Sequence, residues 1–238
     1  MGAKLAPQLC EAYRTDHPNI KFEIAAEGSS TAFKALLDGS ADIGMSSREI
    51  KPEESKHFED QKIQLHKHLA GNDCLIIAVN ANNPVSNLTT KQVEGLFTGD
   101  IKNWKEVGGN DSPVSLLTRN TASGTYKDFS RIAMNGRSYS GDNVKLAGGE
   151  HPAQVVSKDL NLITHISLAY AKAEGIKTVS INGIAPPTDR VNDYPYIRAL
   201  YYFIRSDASP TANAFMEWVT KSAEAKAVVR KVGFLAVE

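Results

Sequence analysis

"IKFEIAAEGSSTAFKALLDGSADIGMSS", residues 20–47, decides the fold class. Residues 20–28 alternate apolar and polar and end in Gly28, which predicts a strand. "SSTAFKALLDGSAD" then predicts a helix, with hydroxyls to cap it, Phe33, Leu36 and Leu37 facing inward, and Gly39 ending it. "IGMSS" predicts a short buried strand that runs out into serines. The same alternation continues along the chain. "CLIIAVNANNP" reads as a strand, "TTKQVEGLFTG" as a threonine-capped helix, "VSLLTR" as a strand and "GTYKDFSRIAM" as a helix. "KTVSINGIAPP" and "ALYYFIR" follow as strands, and "SPTANAFMEWVTKSAEAKAVVRKV" as one long helical ending. Ahead of them all, Leu5, Leu9, Ala12 and Tyr13 recur at helical spacing until "DHPN". Strands alternating with helices predict a parallel α/β architecture.

The chain has 238 residues, room for one sizeable domain or two small lobes. Lys plus Arg and Asp plus Glu number 27 each, so no global field attracts nucleic acid or an anionic membrane. Any charge recognition has to be local. No run approaches the roughly 18 apolar residues of a membrane span, and the N-terminus shows no charged-then-apolar leader. Cys10 and Cys74 match no metal or redox spacing and read as buried, unpaired thiols. The asparagine-rich "NANNPVSN" (80–87) and "GIAPPTDRVNDYPY" (183–196) are the internal boundaries. Together they predict a second lobe, residues 80–199, inserted into a first lobe of 1–79 plus 200–238.

Three junctions share one chemistry. "EGSSTAFK" sets Ser29, Ser30 and Thr31 at a helix start after Gly28. "GMSSREI" supplies Ser46, Ser47 and Arg48. "TRNTASGTYKDF" supplies Arg119, Ser123, Gly124 and Thr125. Helix N-termini present unpaired N–H groups and partial positive charge. Hydroxyls add donors, glycine admits close approach, and a guanidinium grips a tetrahedral oxyanion through two parallel bonds. Each junction alone also reads as an ordinary cap, and Arg48 as a surface arginine; the three together read as an anion site. Enzyme motifs are absent: no GxSxG elbow, P-loop lysine, HExxH or GxGxxG. His66 and His68 fall on one strand face, a spacing shared by metal ligands and by exposed strand histidines. Ser123 has no identifiable base to make it a nucleophile.

"GSSTAFKALLDGSADIGMSSREIKPEE", "LIIAVNANNPVSNLTTKQVEGLFTGDIKNWKEVGG" and "TRNTASGTYKDF", in this order, resemble the phosphate-binding subunit of phosphate ABC transporters. The resemblance implies a type II periplasmic-binding fold, two α/β lobes with the anion in the cleft between them. It implies binding of inorganic phosphate without catalysis, metal or cofactor. It further implies delivery to a membrane ABC permease, a periplasmic or extracytoplasmic location and a monomer that binds no nucleic acid. Carried over by position, the ligands are Ser29, Ser30, Ser47, Arg48, Arg119, Ser123, Gly124 and Thr125. Three departures stand out. The family's third loop carries a carboxylate near the Ser47 position, where serine and arginine stand here, and Asp42 lies too early to replace it. That leaves sulfate or another oxyanion as an alternative ligand. The family's first strand and its hydroxyl-rich loop fall ahead of residue 1, so the expected first lobe lacks its opening strand. "ITHISLAY" (163–170) stands where the family often has an "IGYV"-like strand. Two further alternatives are a sensory or envelope-attached binding module from a longer protein, and a phosphate-ester hydrolase.

Overall fold

Local signals place most of the helices in the computed structural model, which describes residues 2–119, 121, 123–141, 144–146 (backbone only), 151–186 and 193–236. The chain divides into two compact units, Met1–Asn72 with Ala199–Glu238, and Asp73–Arg198. Both divisions fall inside strands, β2 (Leu65–Asn80) and β8 (Ile197–Arg205). Of the boundary expected at 183–196, residues 187–192 lie outside the described ones.

The first unit contains α1 (Gly2–Asp16), α2 (Ser29–Asp38), β1 (Ile43–Ser46), α3 (Pro52–Asp60), α7 (Pro210–Lys221) and α8 (Ala223–Val232). β1 pairs antiparallel with β8, Ile43 opposite Ile204 and Ser46 opposite Tyr201. Phe33, Leu36, Phe58 and Phe203 form a core that α2, α3 and β8 share. Gly44 allows a close approach at the α2–β1 contact: a Cβ there would lie 2.6 Å from Leu36 Cδ1, so that side chain would have to shift. A second aromatic group joins Tyr13 of α1 to Phe215 and Trp218 of α7, with ring centroids 5.0 and 5.1 Å apart.

The second unit contains β3 (Asn87–Leu88), α4 (Thr90–Thr98), β4 (Ser115–Thr118), α5 (Gly124–Ala133), β5 (Val144–Leu146), α6 (Pro152–Val156), β6 (Leu162–Ser167) and β7 (Ile176–Ile181). α4 starts on a reciprocal cap: Gln92 N–H donates to Thr89 Oγ1, and Thr89 N–H donates to Gln92 Oε1. β4 lies parallel to β5 and β6, and β3 parallel to β7, while β2 pairs antiparallel with β6 and β7. The parallel architecture expected from the sequence is therefore corrected to a mixed one. The strands that carry the chain across the division run against their neighbours.

Two other expectations change. Residues 20–26 form no strand; they have no ladder partner among the described residues, and Ile24 is 43% exposed. An alternating pattern prepares a strand, but only a neighbour's N–H and C=O groups complete one. The expected long ending is two helices. Ser222, at φ −76° and ψ 142°, leaves the helical region, and its Oγ accepts the Ala225 N–H to start α8. A hydroxyl that can cap competes with helix continuation. Cys10 and Cys74 are buried free thiols, as expected.

Candidate functional site

In the first unit, α2 begins at Ser29, and the residue before it is Gly28 at φ 144° and ψ 172°. That backbone region is essentially reserved for glycine. The sequence predicted a hydroxyl cap for α2, and this is corrected: Gly28 holds the cap position and no side chain caps the helix. The first intrahelical bond runs from Ala32 N–H to Gly28 O, so the N–H groups of Ser29, Ser30 and Thr31 precede the helical ladder. The serine hydroxyls are thereby released for other work. Ser29, buried, accepts the Ser47 N–H on its Oγ at 3.2 Å, which ties the start of α2 to the loop after β1. Ser46 Oγ donates to Arg48 O at 2.6 Å and accepts from Arg48 N–H at 3.2 Å, which closes that loop on itself.

Arg48 was expected among the anion ligands, but its guanidinium has protein partners. Nη1 donates to Glu54 Oε2 (2.8 Å) and Glu49 O (2.9 Å); Nη2 donates to Glu54 Oε1 (2.7 Å) and Ser30 Oγ (3.0 Å). All four terminal N–H bonds are thus directed at protein oxygens. The guanidinium also lies 5.1 Å from the Phe33 ring centroid. Glu54 additionally accepts the Lys51 N–H at 3.0 Å. Against its burial, the Arg48 guanidinium and this N–H hold the Glu54 carboxyl below its usual range. Glu54 is the residue the sequence reading missed. Pro52 followed by Glu54 was legible as a helix start with an acid in its first turn, but the turn of chain that brings Arg48 onto it was not.

In the second unit, Arg119 directly follows β4 and is exposed, and Ser123 is the cap residue of α5. Lys127 N–H reaches back to Ser123 O at 3.3 Å, so the N–H groups of Gly124, Thr125 and Tyr126 precede the ladder here too. Side chains further along fix where this helix start points. Asp128 and Phe129 are buried on α5. The Phe129 ring stacks on His165 of β6 at 4.1 Å and 4°. Asp128 Oδ2 accepts from Arg198 Nη1 at 3.3 Å, and Arg198 Nη2 also donates to Asp73 Oδ2 at 2.8 Å. Ser167 Oγ donates to the other oxygen of Asp73 at 2.7 Å. Burial raises the Asp128 carboxyl despite the Arg198 and Arg131 guanidinium groups. His165 is pushed down to about 3 by burial, then by the charges of Arg198 and Arg119. It is therefore neutral; Tyr139 OH donates to Tyr126 O at 2.8 Å and meets His165 Nε2 at 3.0 Å. The departure at "ITHISLAY" accordingly places a neutral packing histidine against α5.

Each unit therefore holds its own set: Ser29 and Ser30 at the start of α2 with Ser47 in the loop after β1, and Arg119, Ser123, Gly124 and Thr125 at the start of α5. Both combine unladdered N–H groups with hydroxyls, which is chemistry for holding an oxyanion. Among the described residues no group of three or more His, Cys, Asp or Glu is placed to hold a metal.

Comparison with known proteins agrees with this chemistry. Residues 3–224 match the family model described as PBP superfamily domain. The chain is 33% identical over 225 residues to the phosphate-binding protein PstS of Pseudomonas aeruginosa, covering 85% of this chain and 69% of that one. It is 23% identical over 229 residues to PstS of Bacillus subtilis, covering 95% and 75%. A phosphate ABC transporter substrate-binding protein from Clostridium perfringens, solved with bound phosphate, has a TM-score of 0.88 at 28% identity, covering 100% of this chain and 96% of that one. An ABC-type phosphate transport receptor from Vibrio cholerae has a TM-score of 0.79 at 26% identity, covering 99% and 96%. The chain belongs to the PBP superfamily and, within it, to the PstS family.

Proposed function

We propose that this chain binds inorganic phosphate as the solute receptor of an ABC importer, working outside the cytoplasm and passing the ion to a membrane permease. The observation that carries the reading is the pair of hydroxyl-bearing helix starts, Ser29–Ser30 and Ser123–Gly124–Thr125 with Arg119, in a member of a family whose relatives are phosphate-binding proteins. Each unit contributes one of the two sets of oxyanion donors. Arg119 supplies the positive charge. Ser29, Ser30, Ser47, Ser123 and Thr125 donate hydroxyl bonds, and the first N–H groups of α2 and α5 complete the shell. Arg48 acts through Ser30. Each charge-assisted bond contributes roughly 1.5–3 kcal/mol. Several of them therefore reach the roughly −8 kcal/mol of micromolar binding after ordering costs. The role is binding without turnover, which the solute-binding character of the relatives supports. No helix among the described residues is long and apolar enough to cross a membrane.

Titration calorimetry with phosphate, arsenate and sulfate tests it. Saturable heat with phosphate is expected; no heat and no thermal shift with any of the three would overturn it.

A further inference from the structure

β1 ends at Ser46, and Ser47 and Arg48 follow it towards α3. Were Arg48 a free cation, the first unit would add a full positive charge to the anion's surroundings and favour dianions of any kind. It is not free. Glu54 takes one N–H from each terminal nitrogen at 2.8 and 2.7 Å, with both side chains largely shielded from solvent. The other charges around the pair are themselves coupled. Lys51 lies 3.1 Å from Glu53, and Lys67 lies 2.9 Å from Glu49. These three ion pairs sum to zero net charge. What Arg48 does deliver is one N–H to Ser30 Oγ at 3.0 Å, which occupies a lone pair of that oxygen and leaves the hydroxyl proton to be donated elsewhere.

We infer that Glu54 is a specificity-determining residue of the anion site: by cancelling Arg48 it converts that residue from a cation into a scaffold for Ser30, and so sets how much anion charge the first unit accepts. This rests on the phosphate reading above and deepens it. The balance of the Arg48–Glu54 pair then weighs on how the site separates the obligate dianion sulfate from singly charged phosphate. Glu54 limits positive charge from behind Arg48, without repelling the ion directly.

Two substitutions break the balance in opposite directions. Glu54→Gln keeps one oxygen for Arg48 but leaves the guanidinium uncompensated, one hydroxyl away from the ion. Arg48→Gln leaves the carboxylate uncompensated. For unit charges at such separations the Coulomb term is worth about tenfold or more in affinity, even with protein and salt screening. Binding of sulfate and of phosphate is measured by calorimetry on the wild type, both single variants and the double variant. The phosphate titrations are run on both sides of its second ionisation. Below the second ionisation of phosphate, the ratio of sulfate to phosphate affinity is expected to rise about tenfold in Glu54→Gln, to fall in Arg48→Gln, and to return toward the wild-type value in the double variant. Above it, where both anions are doubly charged, the ratio should change little. A purely structural role predicts one common factor for both anions at both pH values, and that result overturns the inference alone. Thermal melts of each variant separate loss of fold from loss of discrimination, and Arg48→Gln gives the sign test if Glu54→Gln is poorly folded. A wild type that binds neither anion overturns the functional reading and this inference together.

Discussion

Ser29 Oγ accepts the backbone N–H of Ser47 at 3.2 Å, across 18 residues of sequence. One hydroxyl thus joins a helix start to the loop after a strand while its own proton stays available to donate. Ser29→Ala removes the donor and leaves a partly buried N–H without its acceptor. The expected result is a loss of phosphate affinity of roughly tenfold and a stability loss of about 1–3 kcal/mol. Calorimetry and urea unfolding on the same preparation measure the two; unchanged values in both would refute the role.

Arg119 is exposed, so replacing it is expected to affect binding more than folding. Arg119→Ala should weaken phosphate binding by roughly a hundredfold, two charge-assisted bonds' worth. The melting temperature of the ligand-free protein should barely move. Arg119→Lys should recover only part of the loss, because an ammonium lacks the planar fork. Full binding by the alanine variant would remove Arg119 from the site.

Arg198 is buried between two carboxylates, Asp73 and Asp128. Arg198→Met leaves both acids in the interior without their guanidinium, at a cost of about 3–5 kcal/mol. Denaturant unfolding is the measurement. Adding Asp73→Asn and Asp128→Asn should restore part of the stability, and failure to restore any would mean that packing, not charge, dominates.

Glu54 titrates below its usual range in the folded protein. Its contribution is therefore present above the unfolded carboxylate range and is lost as pH falls through the folded value. Asp128 is raised, chiefly by burial, and has the opposite sign: acid relieves it. Melting temperatures followed into the acid range should fall less steeply in Glu54→Gln than in wild type. An identical acid limb in the two proteins would contradict the assignment.

Burial and the neighbouring Asp73 charge push the Cys74 thiol up to about 12, and burial raises Cys10 against the pull of Arg14. Native protein should resist an aromatic disulfide reagent at neutral pH, and both thiols should react once denaturant is added. Prompt labelling of the native state would show that one of these thiols is accessible.

Residues that act with their near neighbours were legible from the sequence. The α4 start followed from its threonines, because a cap spans three or four residues; Ser123 holds the cap position of α5 as expected, but no side-chain cap bond forms there. Long-range partners were not legible. Nothing in the chain says that Arg198 will meet Asp128, 70 residues away, or that His165 will stack on Phe129. Residues 20–26 show the reverse failure: the alternation is there, but its ladder partner is not among the described residues. Arg48 lies between the two cases. Glu54 is only six residues distant, yet the pairing depends on how the loop between them folds.

The ion pair between Asp73 and Arg198 also has a topological meaning. These are the first and last residues of the second unit, and 125 positions separate them. Holding them 2.8 Å apart fastens the entrance of the inserted segment to its exit. Closing so long a loop is entropically costly for a flexible chain, and the buried clasp offsets that cost where it arises. An insertion so fastened is a cassette: its ends stay together whatever sequence lies at its far side, which leaves the loops beyond free to vary while the host strands keep their places.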